Sequence, residues 1–154
     1  MVILQDMTEV EFDSYRLIFI NEYASDLADS RKYSIEDAQE RAAKVIDAVS
    51  LQSADKPENR FFSILRSDTE KPVIGYLWIE ITKKSAWILD FWLLPDWRMR
   101  GFGRAALEEM EVTLARMGVN EVGLRVAPNN PAAKAVYEKV GFRITGFNMH
   151  RALS

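Results

Sequence analysis

The sequence predicts an α/β fold in which one mixed sheet is covered by amphipathic helices. Three observations carry this. Strand-like alternation and helix-like spacing succeed one another in the order β-α-α-β-β-β-α-β-α-β-β. The short connection Thr82-Lys83-Lys84-Ser85 joins two apolar strands and calls for antiparallel pairing. The chain has 154 residues, 48% of them hydrophobic, which suffices for one compact unit spanning residues 1–154 with a real core.

The elements follow in order. Val2 to Met7 reads as a strand. Phe12, Tyr15, Phe19 and Tyr23 recur at helical spacing, and so do Ile35, Ala38, Ala42, Val45 and Val49. The polar stretch Asp26 to Lys32 separates these two helices, and Ser34 with Asp37 supplies a capping signal for the second. Gln52 to Asn59, with Pro57, is a loop. Phe61 to Leu65 is a strand, turned through Ser67 to Lys71. Val73 to Ile81 and Ala86 to Leu94 are the next two. The latter is apolar on both faces, as a central strand covered on two sides requires. Leu107, Met110, Leu114 and Met117 mark a long helix stopped at Gly118. Val122, Leu124 and Val126 alternate within a strand from Glu121 to Val126. Asn130 and Pro131 then open a helix whose inner face is Ala133, Val136, Tyr137 and Val140, closed by Gly141. Phe142 to Leu153 reads as two final strands around Gly146.

Composition removes whole classes of chemistry. There is no cysteine and a single histidine, His150. Disulfides, cysteine nucleophiles and iron–sulfur sites are excluded, and histidine-rich metal centres and histidine triads are disfavoured. Lys plus Arg number 20 against 23 Asp plus Glu, for a net charge of −3. That lacks the positive field of a nucleic-acid binder. The N-terminus turns acidic at Asp6, too early for a secretion signal, and the apolar run Ala86 to Leu94 is interrupted by Asp90 and too short to span a membrane. The expected location is the cytoplasm, with no nucleic-acid or membrane partner.

The most informative segment runs from Leu93 to Ala105. A buried strand ends at Pro95; arginines and two spaced glycines, Gly101 and Gly103, then open a helix. Free amides at a helix start attract phosphate. Arg98, Arg100 and Arg104 crowd that same end, where positive side chains call for a compensating anion such as a pyrophosphate. Gly-Lys-Ser/Thr is absent, which excludes a Walker loop. Gly101-x-Gly103-x-x-Ala106 fits a relaxed dinucleotide fingerprint, but the glycines come late after the strand. The following strand also lacks the acidic residue that holds a ribose.

Two blocks together carry a family resemblance. Arg98-Met99-Arg100-Gly101-Phe102-Gly103 matches the phosphate signature Arg/Gln-x-x-Gly-x-Gly/Ala. Asn130-Pro131-Ala132-Ala133-Lys134-Ala135-Val136-Tyr137-Glu138-Lys139-Val140-Gly141-Phe142 matches Asn-x-x-Ala-x-x-x-Tyr-(Glu)-x-x-Gly-Phe. The sequence thus resembles the GNAT superfamily of acyl-CoA-dependent N-acyltransferases, strongly from Val73 to Leu153. The resemblance implies a mostly antiparallel sheet of about seven strands flanked by about four helices. It implies acetyl-CoA as cosubstrate, a primary amine on a small molecule or peptide as acceptor, and a homodimer.

The same resemblance distributes roles. Phe91, Trp92 and Leu93 match the strand that the pantetheine arm pairs with, and Met99 to Arg104, after Arg98, match the pyrophosphate turn. Asn130 matches a pantetheine ligand, though a helix N-cap is an equally good role for it. Tyr137 matches the acid that serves the departing thiolate; its place on an apolar stripe also suits a core tyrosine. The base is less clear, because Arg125 and Leu89 stand where relatives carry glutamate. Asp90, on a row with Ile88, Trp92 and Leu94, is then the base or a structural carboxylate bonded to backbone or arginine. Glu80 is a second choice of base, and Glu22 suits binding of a cationic acceptor. His150 is expected to be structural or exposed. Trp97, in the turn, would flank the cofactor. Two rival functions stand beside the transferase: a nucleotide-dependent oxidoreductase, and a non-catalytic module that senses acyl-CoA.

Overall fold

A computed structural model describes residues 1–49 and 58–153. Strand β1 (Val2–Asp6) leads into helices α1 (Glu9–Arg31) and α2 (Ile35–Asp47). Strands β2 (Asn59–Arg66), β3 (Val73–Thr82) and β4 (Ser85–Leu93) follow. A single 3-10 turn, Pro95–Trp97, then precedes α3 (Phe102–Arg116), β5 (Glu121–Leu124) and α4 (Pro131–Lys139). The loop expected from Gln52 lies outside the described residues as far as position 57, and Asn59 already belongs to β2.

The five strands lie in the spatial order β1-β2-β3-β4-β5. The first four pair antiparallel, and β5 joins β4 in parallel. Each strand side serves a different core. Leu77, Ile79, Ile88 and Leu93 pack with Leu107, Met110 and Leu114 of α3, and Val136 and Tyr137 of α4, with Val140 just after it, close that side. On the opposite side Tyr76 and Trp78 pack with Tyr15 and Phe19 of α1 and Ile46 of α2. The Phe61 ring stacks on Trp78 at a centroid distance of 5.0 Å.

Four expectations need correction. First, α1 does not stop before Asp26; it continues to Arg31 because Ala24 and Leu27 extend its buried stripe. The helix ends at Lys32, whose left-handed φ of 58° turns the chain. Second, the buried stripe of α2 is Ala38, Ala42 and Ile46, while Ile35 and Val45 face solvent. The two alanines let α1 approach closely through Ala24 and Leu27. Third, β5 ends at Leu124, two residues short of Val126, because its parallel ladder to β4 ends there. Fourth, Phe142 to Leu153 forms no strand. Past Phe142 its apolar residues find no core to cover, and Ile144 itself stands 52% exposed. Phe142 packs against Tyr137, but Phe147 and Met149 stand 84% and 96% exposed. Among the described residues the sheet therefore has five strands instead of about seven.

Candidate active site

A break in the sheet creates the site. Strand β4 pairs with β3 as far as Leu93 opposite Gly75, but its ladder to β5 ends at Ile88 opposite Leu124. From Leu89 to Leu93 the edge of β4 that faced β5 has no strand partner among the described residues. A bulge lies at the same place: Trp78 pairs with Asp90 and Ile79 with Ile88, so Leu89 is left over. The extra residue reverses the alternation. Ile88 and Phe91 pack on the α3 side, whereas Leu89 and Trp92 pack on the α1 side. Asp90 turns toward α1 too, so it does not share a row with Ile88 as strict alternation required. Gly75 makes the fit possible, since a Cβ there would lie 2.4 Å from the Trp92 carbonyl oxygen.

Asp90 meets a partner that periodicity did not reveal. The Tyr15 hydroxyl, on the fully buried face of α1, donates to Asp90 Oδ2 at 2.7 Å. Burial raises the Asp90 carboxyl to about 6; the Tyr15 hydrogen bond and the Phe91 amide pull it down, and the charge of Glu22 pushes it up. Among the described residues no arginine, lysine or histidine forms an ion pair with Asp90. Burial likewise raises the Tyr137 phenol, with the Asp90 charge adding to it. Tyr137 touches Phe91 and Phe142 by its ring, at centroid distances of 6.3 Å and 5.7 Å. The carboxyl, the phenol and the open strand edge thus converge where β4 and β5 part. A tyrosine on a buried stripe needs a partner for its hydroxyl, and an aspartate in an apolar strand needs a donor. Neither signal names the other residue, so the pair is seen only in the fold.

The turn after β4 is shaped to present amides. Met99 and Gly101 take left-handed conformations, with φ of 61° and 86°. Left-handed positions of this kind are what a nest of inward-pointing N–H groups requires. Helix α3 starts at Gly101 with no side-chain cap and no acidic residue in its first turn. Helices α1, α2 and α4 are each capped by a side chain, from Thr8, Ser34 and Asn130. The three arginines are less free than their sequence positions suggest. Arg98 donates to the Leu93 carbonyl at 2.8 Å, with its guanidinium over the Trp92 ring. Arg104 pairs with Glu108 one turn on. Arg100 lies over Trp97, which Arg66 covers as well.

Other candidates are dispersed. Asn130 Oδ1 accepts from the Ala133 amide at 3.1 Å, so that oxygen caps α4. Arg125 pairs with Asp26 at 3.1 Å and Asn129 donates to Asp29 at 3.3 Å, which ties the segment after β5 across to α1. Glu22 is exposed on α1, and its charge is felt at Asp90. Glu80 pairs opposite Trp87, away from Asp90 in the ladder, and lines a surface pocket with Ser85, Trp87 and Glu121. His150 is exposed, with its ring 6.5 Å from that of Tyr33.

A strand fork with an uncapped helix beside it is the architecture of an acyl-CoA-dependent acyltransferase. A profile of the Acetyltransferase (GNAT) family matches residues 16–142, and the chain belongs to that family. It is an acetyltransferase with acetyl-CoA as cosubstrate. The uncharacterized N-acetyltransferase YycN of Bacillus subtilis (strain 168) is 28% identical over 156 residues, covering 99% of each chain. Its crystal structure superposes with a TM-score of 0.88 at 27% identity, covering 100% of this chain and 99% of that one. The spermidine N(1)-acetyltransferase of Thermoplasma acidophilum is 24% identical over 92% of this chain and 83% of its own. The ribosomal protein bS18-alanine N-acetyltransferase of Escherichia coli (strain K12) is 44% identical over 48 residues, covering 31% of this chain and 32% of its own.

Proposed function

We propose that this acetyltransferase moves the acetyl group of acetyl-CoA directly to a primary amine, with Asp90 as proton acceptor and Tyr137 as donor to the leaving sulfur. The observation that carries the reading is the convergence of these two groups at the β4–β5 fork. The unpaired edge from Phe91 to Leu93, with the Asn130 side chain, receives the pantetheine arm. The amides from Met99 to Arg104 receive the pyrophosphate, with Arg98 and Arg100 adding charge.

The chemistry suits the two groups. An alkyl amine with pKa about 10.4 is only about 0.1% neutral near pH 7.4, a penalty of roughly 4 kcal/mol. A carboxyl with pKa about 6 is ionised at that pH and is a stronger base than an ordinary aspartate. Asp90 takes the ammonium proton, through a water where reach demands it. The freed nitrogen pair attacks the thioester carbonyl, the C–N bond forms, and the C–S bond breaks with its electrons on sulfur; the second proton that the attacking nitrogen sheds passes to that sulfur, leaving a neutral amide and the CoA thiol. A thiol has pKa about 8.5, well below that of a buried tyrosine. Tyr137 therefore acts as a hydrogen-bond donor that stabilises the departing thiolate, and full proton loss from its phenol is unfavourable.

The acceptor is a cationic amine, favoured by Glu22 on α1. Spermidine and protein-alanine acetyltransferases among the relatives support an amine acceptor of small-molecule or peptide type. Placement in the cytoplasm and assembly as a homodimer belong to the same proposal; among the described residues no helix is long and apolar enough to cross a membrane. The test is CoA release with acetyl-CoA and a panel of polyamines, amino acids, aminoglycosides and peptides with free N-termini or lysines. At least one amine should raise release and gain an acetyl group by mass. No acceleration by any amine would refute amine acetylation and revive the acyl-CoA-sensing alternative.

A further inference from the structure

Asp90 Oδ2 accepts from the Tyr15 hydroxyl at 2.7 Å, and that bond favours the ionised carboxylate. Tyr15 is fully buried and carried by a long helix rather than a loop. Its ring is wedged among Phe19, Phe61 and Tyr76, at centroid distances of 6.2 Å, 6.3 Å and 5.3 Å. This packing leaves the ring little freedom, so the hydroxyl is aimed by the aromatic core and not by solvent. Packing alone would be met by phenylalanine, the residue at the neighbouring stripe positions 12 and 19.

We infer that Tyr15 is a positioning residue: its hydroxyl, held by the aromatic core of α1, fixes Asp90 Oδ2 so that Oδ1 is the oxygen presented to the acceptor amine. This rests on the reading of Asp90 as the proton acceptor. The other titratable groups facing Asp90 are Glu22 on α1 and Tyr137 on α4; the β3 residue opposite is Trp78, which does not titrate. Glu22 opposes ionisation, which leaves Tyr15 as the side chain that supports it.

Tyr15→Phe keeps the ring and deletes the donor. A hydrogen bond to a charged group contributes about 1.5–3 kcal/mol, so its loss should move the Asp90 titration alkaline by about one pH unit or more. Two readouts separate this inference from the reading beneath it. The first is carboxyl titration in the unliganded protein by infrared or carbon NMR, with the Asp90 signal assigned by its loss in Asp90→Asn. The second is the acidic limb of the pH–rate profile. At pH 6 we expect about a fivefold loss of turnover that fades above pH 8, with KM for acetyl-CoA unchanged. A shift in both readouts supports the inference. A shifted titration with an unshifted limb upholds Tyr15 as the partner that controls Asp90 but removes Asp90 as the base. An unshifted titration in a folded variant overturns the inference. Should Tyr15→Phe fail to fold, fluorotyrosine placed at position 15 alone supplies a stronger donor in the same space. It should move both readouts in the acid direction, and no movement would again overturn the inference.

Discussion

Tyr137 and Asp90 make predictions that differ in kind. On the proposed mechanism, Tyr137→Phe removes a donor aimed at charge that appears only as the C–S bond breaks. Turnover should fall about 10- to 100-fold with KM for acetyl-CoA within about twofold; steady-state kinetics checks this, and unchanged turnover would leave Tyr137 as a core residue. Asp90 carries a stability cost. Its folded pKa, about 6, lies above the ordinary value near 3.9, so the native state holds a proton that the unfolded chain has lost. The stability contributed is complete below about pH 4 and is lost as pH rises to about 6. Asp90→Asn escapes that loss. Urea unfolding should show the variant more stable than the parent by up to about 3 kcal/mol at pH 8, with a smaller gain near pH 4.5. Solvent screening trims the figure, because the carboxylate is half-buried. Asp90 was legible in the sequence as a polar intruder in an apolar strand. Its partner was not, because Tyr15 sits on a helical stripe where periodicity reads any aromatic as core.

At the scale of elements, the decisive features are the bulge in β4 and the start of α3. Gly101 holds a φ of 86° that a side chain resists. Gly101→Ala should destabilise the fold by about 1–2 kcal/mol in chemical denaturation. It should also weaken acetyl-CoA binding in calorimetry, because a relaxed turn no longer points its amides inward. Loss of stability with undiminished affinity would show that the turn does not hold the pyrophosphate. The glycine turn, the capped start of α4 and the antiparallel β3–β4 hairpin could be read directly from spacing. The bulge could not, since alternation assumes one residue per step and Leu89 breaks that count. The full length of α1 was hidden as well. Its last turns are rich in aspartate, and two of them find partners only in the fold, as Asp26 meets Arg125 and Asp29 meets Asn129.

Taken as a whole, the molecule is a sheet with a separate core on each side, joined at one fork. The α3–α4 side carries the glycine turn and Tyr137, while the α1–α2 side carries Tyr15 and Glu22. Asp90 stands at the seam. The element order and the mixed sheet were legible because strand and helix periods alternate cleanly. The C-terminal strands were expected and are not formed, and the apolar residues past Phe142 stay exposed with no core to cover. Composition already pointed away from protein thiols and toward carboxylates. The reactive sulfur accordingly belongs to the cosubstrate, and the proposed mechanism gives the proton chemistry to Asp90 and Tyr137. The most direct measurement is the pH dependence of acetyl transfer to the best amine, in the parent and in Asp90→Asn, with folding followed by circular dichroism. The account predicts an acidic limb near pH 6 in the parent, displaced far to the alkaline side in the variant. An identical limb in two equally folded proteins would contradict it.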